Sequence, residues 1–181
     1  MYVEIKTERL RLRPLQISDL ETTHAYASDV ENTRYMIYLP NHALTETKQF
    51  LTWAEQQWAK DAPDDLEFAI LLQGNHIGAI SLSWDKSNNV GEFGWILHRN
   101  YWKRGYALEA ALALKAYAID TLKIRKLIAH CDSKNVNSAR LMEKIGMKRE
   151  DLVGTRQYPD SRGTSEEFTY CLEVTALPPR A

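Results

Sequence analysis

Residues 91–116, GEFGWILHRNYWKRGYALEAALALKA, constrain the fold of this chain more than any other stretch. Phe93, Trp95 and Leu97 alternate with Glu92, Gly94 and Ile96, which is the period of a strand. A basic loop carrying Arg99, Lys103 and Arg104 follows. Gly105 then opens a helix that reads to about Leu122 and is apolar nearly all round, so it must lie against a sheet. A second strand, KLIAHCD at 126–132, comes next, and a strand–helix–strand crossover favours parallel strands on its two sides. The first helical turn has free N–H groups at the positive end of the helix dipole. Gly105 and the small Ala107 would let a ligand approach that backbone closely. The loop therefore suits a phosphate-bearing ligand, although the same residues would serve as a solvated basic turn. It contains neither G-x-x-x-x-G-K-[ST] nor G-x-G-x-x-G, the usual nucleotide motifs.

The flanking segments complete a layered pattern. Residues 3–13 alternate as one strand, with Leu10 and Leu12 on one face, Arg9, Arg11 and Arg13 on the other, and Pro14 ending it. Ser18-Asp19 caps a short helix to about Ser28. Thr45-Glu46 starts another to about Lys60, with Phe50, Trp53, Ala54 and Trp58 near helical spacing. Runs 66–73 and 76–84 form a hairpin around Gly74-Asn75, and 90–98 is the third consecutive antiparallel strand. SKNVNSARLMEKIGM (133–147) follows strand 126–132. Its Asn135 to Ile145 form a helix stopped by Gly146, in which Asn135 and Ser138 share one side at the start, and either could act as the N-cap. Runs 147–154 and 166–174 close the chain as a hairpin. The order β-α-α-β-β-β-α-β-α-β-β predicts an α+β fold, one domain over 1–181, with a mixed, mostly antiparallel sheet of about seven strands and helices on both faces.

Composition narrows the function. A net charge of −1 gives no general field for nucleic acid, so direct nucleic-acid binding is not expected. The histidines and cysteines lack metal-ligand spacing, so no metal is expected. No run approaches the roughly 20 apolar residues of a membrane span, and the N-terminus lacks a signal-peptide core. Cys131 and Cys171 read as buried thiols of a cytoplasmic protein rather than as a disulfide, and Cys131 as a packing residue rather than a nucleophile.

Taken together, TERLRLRP (7–14), GEFGWILHRNYWKRGYALEA (91–110) and NVNSARLMEKIGM (135–147) resemble the GNAT superfamily of acetyl-CoA-dependent N-acetyltransferases, in the RimJ/RimL branch that includes enzymes acetylating ribosomal-protein N-termini. The resemblance implies a split sheet in which the pantetheine of acetyl-CoA pairs with backbone groups of Ile96 and Leu97. It implies a pyrophosphate on Lys103, Arg104, Gly105, Tyr106 and Ala107, with Asn135 and Ser138 near the pantetheine and thioester. Many members have glycine where Lys103 stands. Many GNAT enzymes have a tyrosine acid where this chain has Met142, which cannot donate a proton, so Ser138 or a water would serve the leaving thiolate.

The reaction implied is direct acetyl transfer to a primary amine. Glu92 is the candidate base, acting through water, or else a solvent-facing strand residue. A strand amide near Ile96 would stabilise the oxyanion. The acceptor is expected to be a protein N-terminal α-amino group, with a small-molecule amine (polyamine, amino acid or antibiotic) or a non-catalytic acyl-CoA-binding module as alternatives. The expected walls of its pocket are the helix 45–60, the segment 29–44 and the loop 155–165. Trp53, Trp58 and Trp84 could line it or pack in the core. Asp85 and Asp160 could attract a cation. Monomer and homodimer both remain open.

Overall fold

The computed structural model of the chain describes residues 2–174. The strands are β1 (Ile5–Lys6), β2 (Leu10–Pro14), β3 (Asp65–Leu72), β4 (Asn75–Asp85), β5 (Val90–Leu97), β6 (Lys126–Asp132), β7 (Lys148–Gln157) and β8 (Thr164–Glu173). The helices are α1 (Leu20–Ala27), α2 (Leu44–Trp58), α3 (Tyr106–Ala116) and α4 (Val136–Lys144). All eight strands join one sheet in the order β1-β2-β3-β4-β5-β6-β8-β7. Among the described residues only β5 and β6 pair in parallel, as the crossover through α3 requires.

The α+β reading holds, with one strand more than expected. The predicted strand at 3–13 is broken at Thr7, whose amide donates to the Leu10 carbonyl at 2.9 Å and whose hydroxyl accepts from the Leu10 amide at 2.8 Å. Pro14 is the last residue of β2 and is buried opposite Phe68. The first hairpin turns one residue earlier than expected, on Gln73 and Gly74, with φ of 50° and 86°, the positive values that a tight two-residue hairpin demands.

The alternation of the strands separates two cores. Leu12, Phe68, Ile70, Ile80, Phe93 and Leu127 pack with Ala110, Ala111 and Leu114 of α3 and Met142 of α4. On the opposite face, Ala69, Leu71 and Ala79 pack with Leu15, with Tyr26 of α1 and with Leu51 of α2. The apolar stripe of α2 is Leu51, Ala54 and Trp58, so Phe50 and Trp53 fall on its outer side and stack there at 5.8 Å. Trp58 is a core residue whose indole N–H reaches the Glu67 carbonyl at 2.8 Å, and Trp84 is half-buried with its indole N–H on Asn89. Asp19 precedes α1 but its side chain does not cap it. It takes both Arg13 nitrogens, at 2.7 and 2.6 Å, in a nearly buried ion pair. Burial raises the Asp19 carboxyl, and the hydrogen bonds from Arg13 and Gln16 outweigh it, leaving the group below its ordinary range.

Candidate active site

The parallel strands β5 and β6 part company. They are in register only over Val90–Lys126, Gly91–Leu127 and Glu92–Ile128. Beyond that point β5 runs on to Leu97 paired with β4 alone, and β6 to Asp132 paired with β8 alone. A wedge opens between them toward the strand ends from which the chain leads into α3 and α4. The ladder decides which groups face it. His98 donates to the Ile77 carbonyl at 2.9 Å just beyond the Gly78–Leu97 pair, so Glu92, Gly94 and Ile96 turn their backbone groups toward β4 and the odd residues turn theirs toward the wedge. The expectation for Ile96 is therefore corrected. Trp95, which the sequence reading passed over, presents both groups, and Leu97 presents its N–H, since its carbonyl already accepts from the Trp102 indole at 2.8 Å. Side-chain period alone could not have found this, because it does not say which strand edge is left unpaired.

At the mouth of the wedge, α3 begins at Gly105, whose φ is 82°, and no side chain caps its first turn. Lys103 has a φ of 61°, a left-handed conformation that explains why glycine suits this position. Lys103 and Arg104 are exposed, while Arg99 is committed to Asp29 at 3.1 Å. The TERL segment accounts for the placement of α3. Glu109, in its first turn, accepts from Thr7 Oγ1 at 2.5 Å, the Arg9 amide at 2.8 Å and Arg9 Nε at 2.6 Å. Arg9 also donates to the Arg104 carbonyl at 3.1 Å and lies over the Tyr106 ring. By contrast α4 is capped, with Asn135 Oδ1 accepting from the Ser138 amide at 3.2 Å. Ser138 and Met142 are both buried, Ser138 one turn before Met142 on the same helix.

The face of β5 that carries Glu92, Gly94 and Ile96 looks toward α1 and α2, since Ile96 packs on that core and Phe93 and Leu97 on the other. Glu92 is exposed at the vertex of the split. In register with it across the sheet are Ser83 and Asp65, joined at 2.7 Å, and the next row holds Gly94, Ser81 and Glu67. The predicted walls 29–44 and 155–165 do meet, through Arg162. Its guanidinium donates to the carbonyls of Thr33, Arg34, Met36 and Leu39. Arg156 adds a bond to the Tyr35 carbonyl, and Tyr158 donates to Asp132 at 2.7 Å. An open groove of about 260 Å³ lies between 37–42 and 159–162. Asp160 is held by Arg162, and Asp85 caps the Ser87-Asn88 turn, whose hydrogen bonds pull its carboxyl down to about 2, so neither acid is left to bind a cation. Burial pushes the Cys131 thiol up to about 11, which removes it as a nucleophile at neutral pH. Cys131 and Cys171 are free thiols. Among the described residues no group of three or more His, Cys, Asp or Glu could hold a metal ion, and no helix is long and apolar enough to cross a membrane.

A sheet split between parallel strands, with an uncapped helix N-terminus at its mouth and strand amides turned into it, offers backbone donors to an extended, anionic ligand of the acyl-CoA kind. The acetyltransferase (GNAT) domain matches residues 9–148, and the chain belongs to that family. YnaD of Bacillus subtilis (strain 168), described as an uncharacterized N-acetyltransferase, is 33% identical over 175 residues, spanning 94% of this chain and 96% of that protein. A GNAT-family acetyltransferase from Bacillus anthracis has 28% identity and a TM-score of 0.80, covering 94% of this chain and 98% of its own. RimL, a ribosomal L7/L12 alpha-N-protein acetyltransferase solved with coenzyme A, superimposes with a TM-score of 0.82 at 15% identity, covering 95% and 98%, a likeness of fold. The protein is thus an acetyl-CoA-dependent acyltransferase, and its residues fit that cosubstrate. A Cβ at Gly105 would stand 3.3 Å from Arg9 Nη2 at the mouth of the wedge, where the backbone is left bare. Glu109→Ala frees Arg9 and Thr7 from this turn. It is expected to cost about 2 kcal/mol of stability and to weaken CoA binding about tenfold, as read by denaturant unfolding and calorimetry.

Proposed function

We propose that this enzyme acetylates protein N-terminal α-amino groups, in the manner of the RimJ/RimL branch. The observation that carries the reading is the open groove between 37–42 and 159–162, on loops that Arg162 ties together. An open groove can admit a polypeptide, whereas a small molecule is usually enclosed.

Bound acetyl-CoA supplies an activated acetyl group on sulfur. The α3 N-terminus, at Arg104 to Ala107 with Lys103 beside it, holds the pyrophosphate. Leu97 N–H, facing the wedge, is the donor for the developing oxyanion in place of Ile96. Glu92, at the vertex, is the candidate base of this reading: it orients the ammonium and holds the water through which its proton leaves. Ser138, near the start of α4 and one turn from the proton-less Met142, serves the leaving sulfur directly or through water.

A second reading, a small cationic amine as acceptor, is favoured by the carboxylates Asp65, Glu67 and Glu92 on one face. Thiol release from acetyl-CoA across N-terminal tetrapeptides, lysine side-chain peptides, polyamines and amino acids separates the two. Peptide α-amines are expected to turn over at least tenfold faster than the rest. A preference for polyamines would move the assignment to the second reading, and CoA binding without turnover on any amine would reduce the protein to a binding module. Glu92→Gln is expected to lower kcat/KM about tenfold.

A further inference from the structure

On the acceptor face, one carboxylate has no place in the scheme so far. Leu66, Phe68 and Ile70 of β3 pack toward α3, and Ala69 and Leu71 toward α1 and α2, so the Glu67 side chain points to the α1 and α2 side. It stands in one cross-strand row with Ser81 and Gly94. Glu67 and Gly94 are two strand spacings apart, about 10 Å at Cα. Only a serine side chain and a bare glycine lie between. A Cβ at Gly94 would come within 2.7 Å of Ser81 Oγ, so the glycine keeps the row clear above the strand that borders the wedge.

The groups around Glu67 leave it without a cation. Asp65 on its own strand repels it, and Asp65 is bound to Ser83. Arg13 of β2 is committed to Asp19. His76 of β4 lies against Asp19, and burial holds its imidazole below the ordinary value. From α1, Tyr26 places a buried hydroxyl beside Thr23 in the same interior, and burial, with the charge of Glu67, keeps that phenol protonated. From α2, Trp58 donates to the Glu67 backbone, not to its carboxylate. Glu92 on β5 adds a second negative charge in the neighbouring row. An unpaired sunken carboxylate costs stability, and a cation entering the face would relieve that cost.

We infer that Glu67 is a second catalytic carboxylate of this enzyme, the group that receives the proton of the acceptor ammonium as it reaches the wedge. The inference rests on the reading that this face admits an amine. One ammonium proton passes to a Glu67 oxygen through water along the row beside Ser81. The freed nitrogen lone pair forms the C–N bond at the acetyl carbon, and the C–S bond breaks. The second amine proton goes to the sulfur, directly or by way of Ser138, and Glu67 returns its own proton to solvent. Burial, with the repulsion of Asp65, holds the Glu67 carboxyl up at about 7, close to the roughly 7.7–8.0 of an α-amine, which is the match general-base catalysis needs.

Two measurements test this independently of one another. In the free enzyme, the difference in carboxyl titration between wild type and Glu67→Gln, followed by 13C NMR or difference infrared spectroscopy, is expected to show one group with a midpoint near 7. Saturating n-butylammonium is expected to lower that midpoint by about one unit, because a cation favours the charged form. A midpoint in the ordinary glutamate range, or one that the amine leaves unmoved, overturns the inference whether or not any amine is acetylated. With the best acceptor from the panel, Glu67→Gln is expected to lose about 100-fold in kcat/KM at pH 7.5 and the acidic limb of the pH profile, with acetyl-CoA affinity within threefold of wild type. A retained acidic limb with less than threefold loss also overturns it. Failure of every amine in the panel would overturn the proposed function alone, leaving the titration to decide the role of Glu67.

Discussion

Replacing Gly78 by alanine is expected to destabilise the protein by about 3 kcal/mol or more and to cut acetyl transfer at least 100-fold. A Cβ at this position would stand 2.3 Å from the Ile96 carbonyl oxygen, 2.8 Å from the Leu97 Cα and 2.8 Å from a Leu97 methyl carbon. Two of those three atoms are backbone, so no rotamer change relieves the clash, and β4 and β5 must separate. The displaced residues are the last pair of β5, where Leu97 offers its N–H to the wedge and its carbonyl to Trp102. Stability and activity should therefore fall together. The comparison is Gly74→Ala, which meets nothing within 4 Å and is strained only by its φ of 86°. Gly74→Ala should cost about 1 kcal/mol and leave kcat/KM unchanged. Denaturant unfolding beside steady-state kinetics reads both, and full activity in folded Gly78→Ala would mean that the end of β5 has no part in catalysis.

Glu67→Gln is expected to do the reverse, stabilising the protein while disabling it. The Glu67 carboxyl is raised from 4.5 to about 7 in the folded state. Between those values the folded chain keeps a proton that the unfolded chain releases. The favourable contribution is therefore fully present below about 4.5 and is lost as pH rises through about 7. Above that the ionised, half-buried group burdens the fold by up to about 3 kcal/mol, taking about 1.4 kcal/mol per pH unit. Glutamine cannot ionise. The variant should match wild type near pH 4 and exceed it at pH 8 by up to that amount, or roughly 6–12 °C in Tm for a chain of this length. Thermal unfolding of both proteins from pH 4 to 8 measures it. Parallel curves would show that Glu67 ionises in the folded state as it does in the unfolded one. A gain in stability coupled to a loss of turnover is what a residue retained for chemistry produces.

Much of the site could be read before the fold was known. The basic loop, the glycine that opens α3, the Asn135 turn and the Gly146 stop are set by neighbours within a few residues, and each lies where expected. Lys103 reads as an irregularity in the sequence and is one in space, with its left-handed φ. Two features lie beyond such local reading. Helical spacing groups Phe50 and Trp53 with Ala54 and Trp58 but does not say which face is covered, and the packing covers Leu51, Ala54 and Trp58 and leaves Phe50 and Trp53 outside. The resemblance points to Ile96 for the wedge, but which backbone groups meet an edge depends on the register with β4, and that register turns Ile96 toward β4.

From its sequence this chain determined its elements, their order, the parallel crossover through α3 and the uncapped amides that await an anion. Those follow from turn chemistry, dipoles and periodicity over short spans. Only the tertiary structure decided that β5 and β6 separate after Glu92, that Arg9 and Thr7 hold α3 through Glu109, and that Arg162 closes the 33–39 backbone onto the β7–β8 loop. It also set which of the acids are committed to neighbours. Asp85 and Asp160 are bound within their own turns, while Glu67, in an ordinary-looking strand, stands on the α1 and α2 side of the sheet without a cationic partner. The physical reason is that burial and register arise from contacts between distant segments, and the charge state of a carboxylate belongs to its surroundings rather than to its place in the chain.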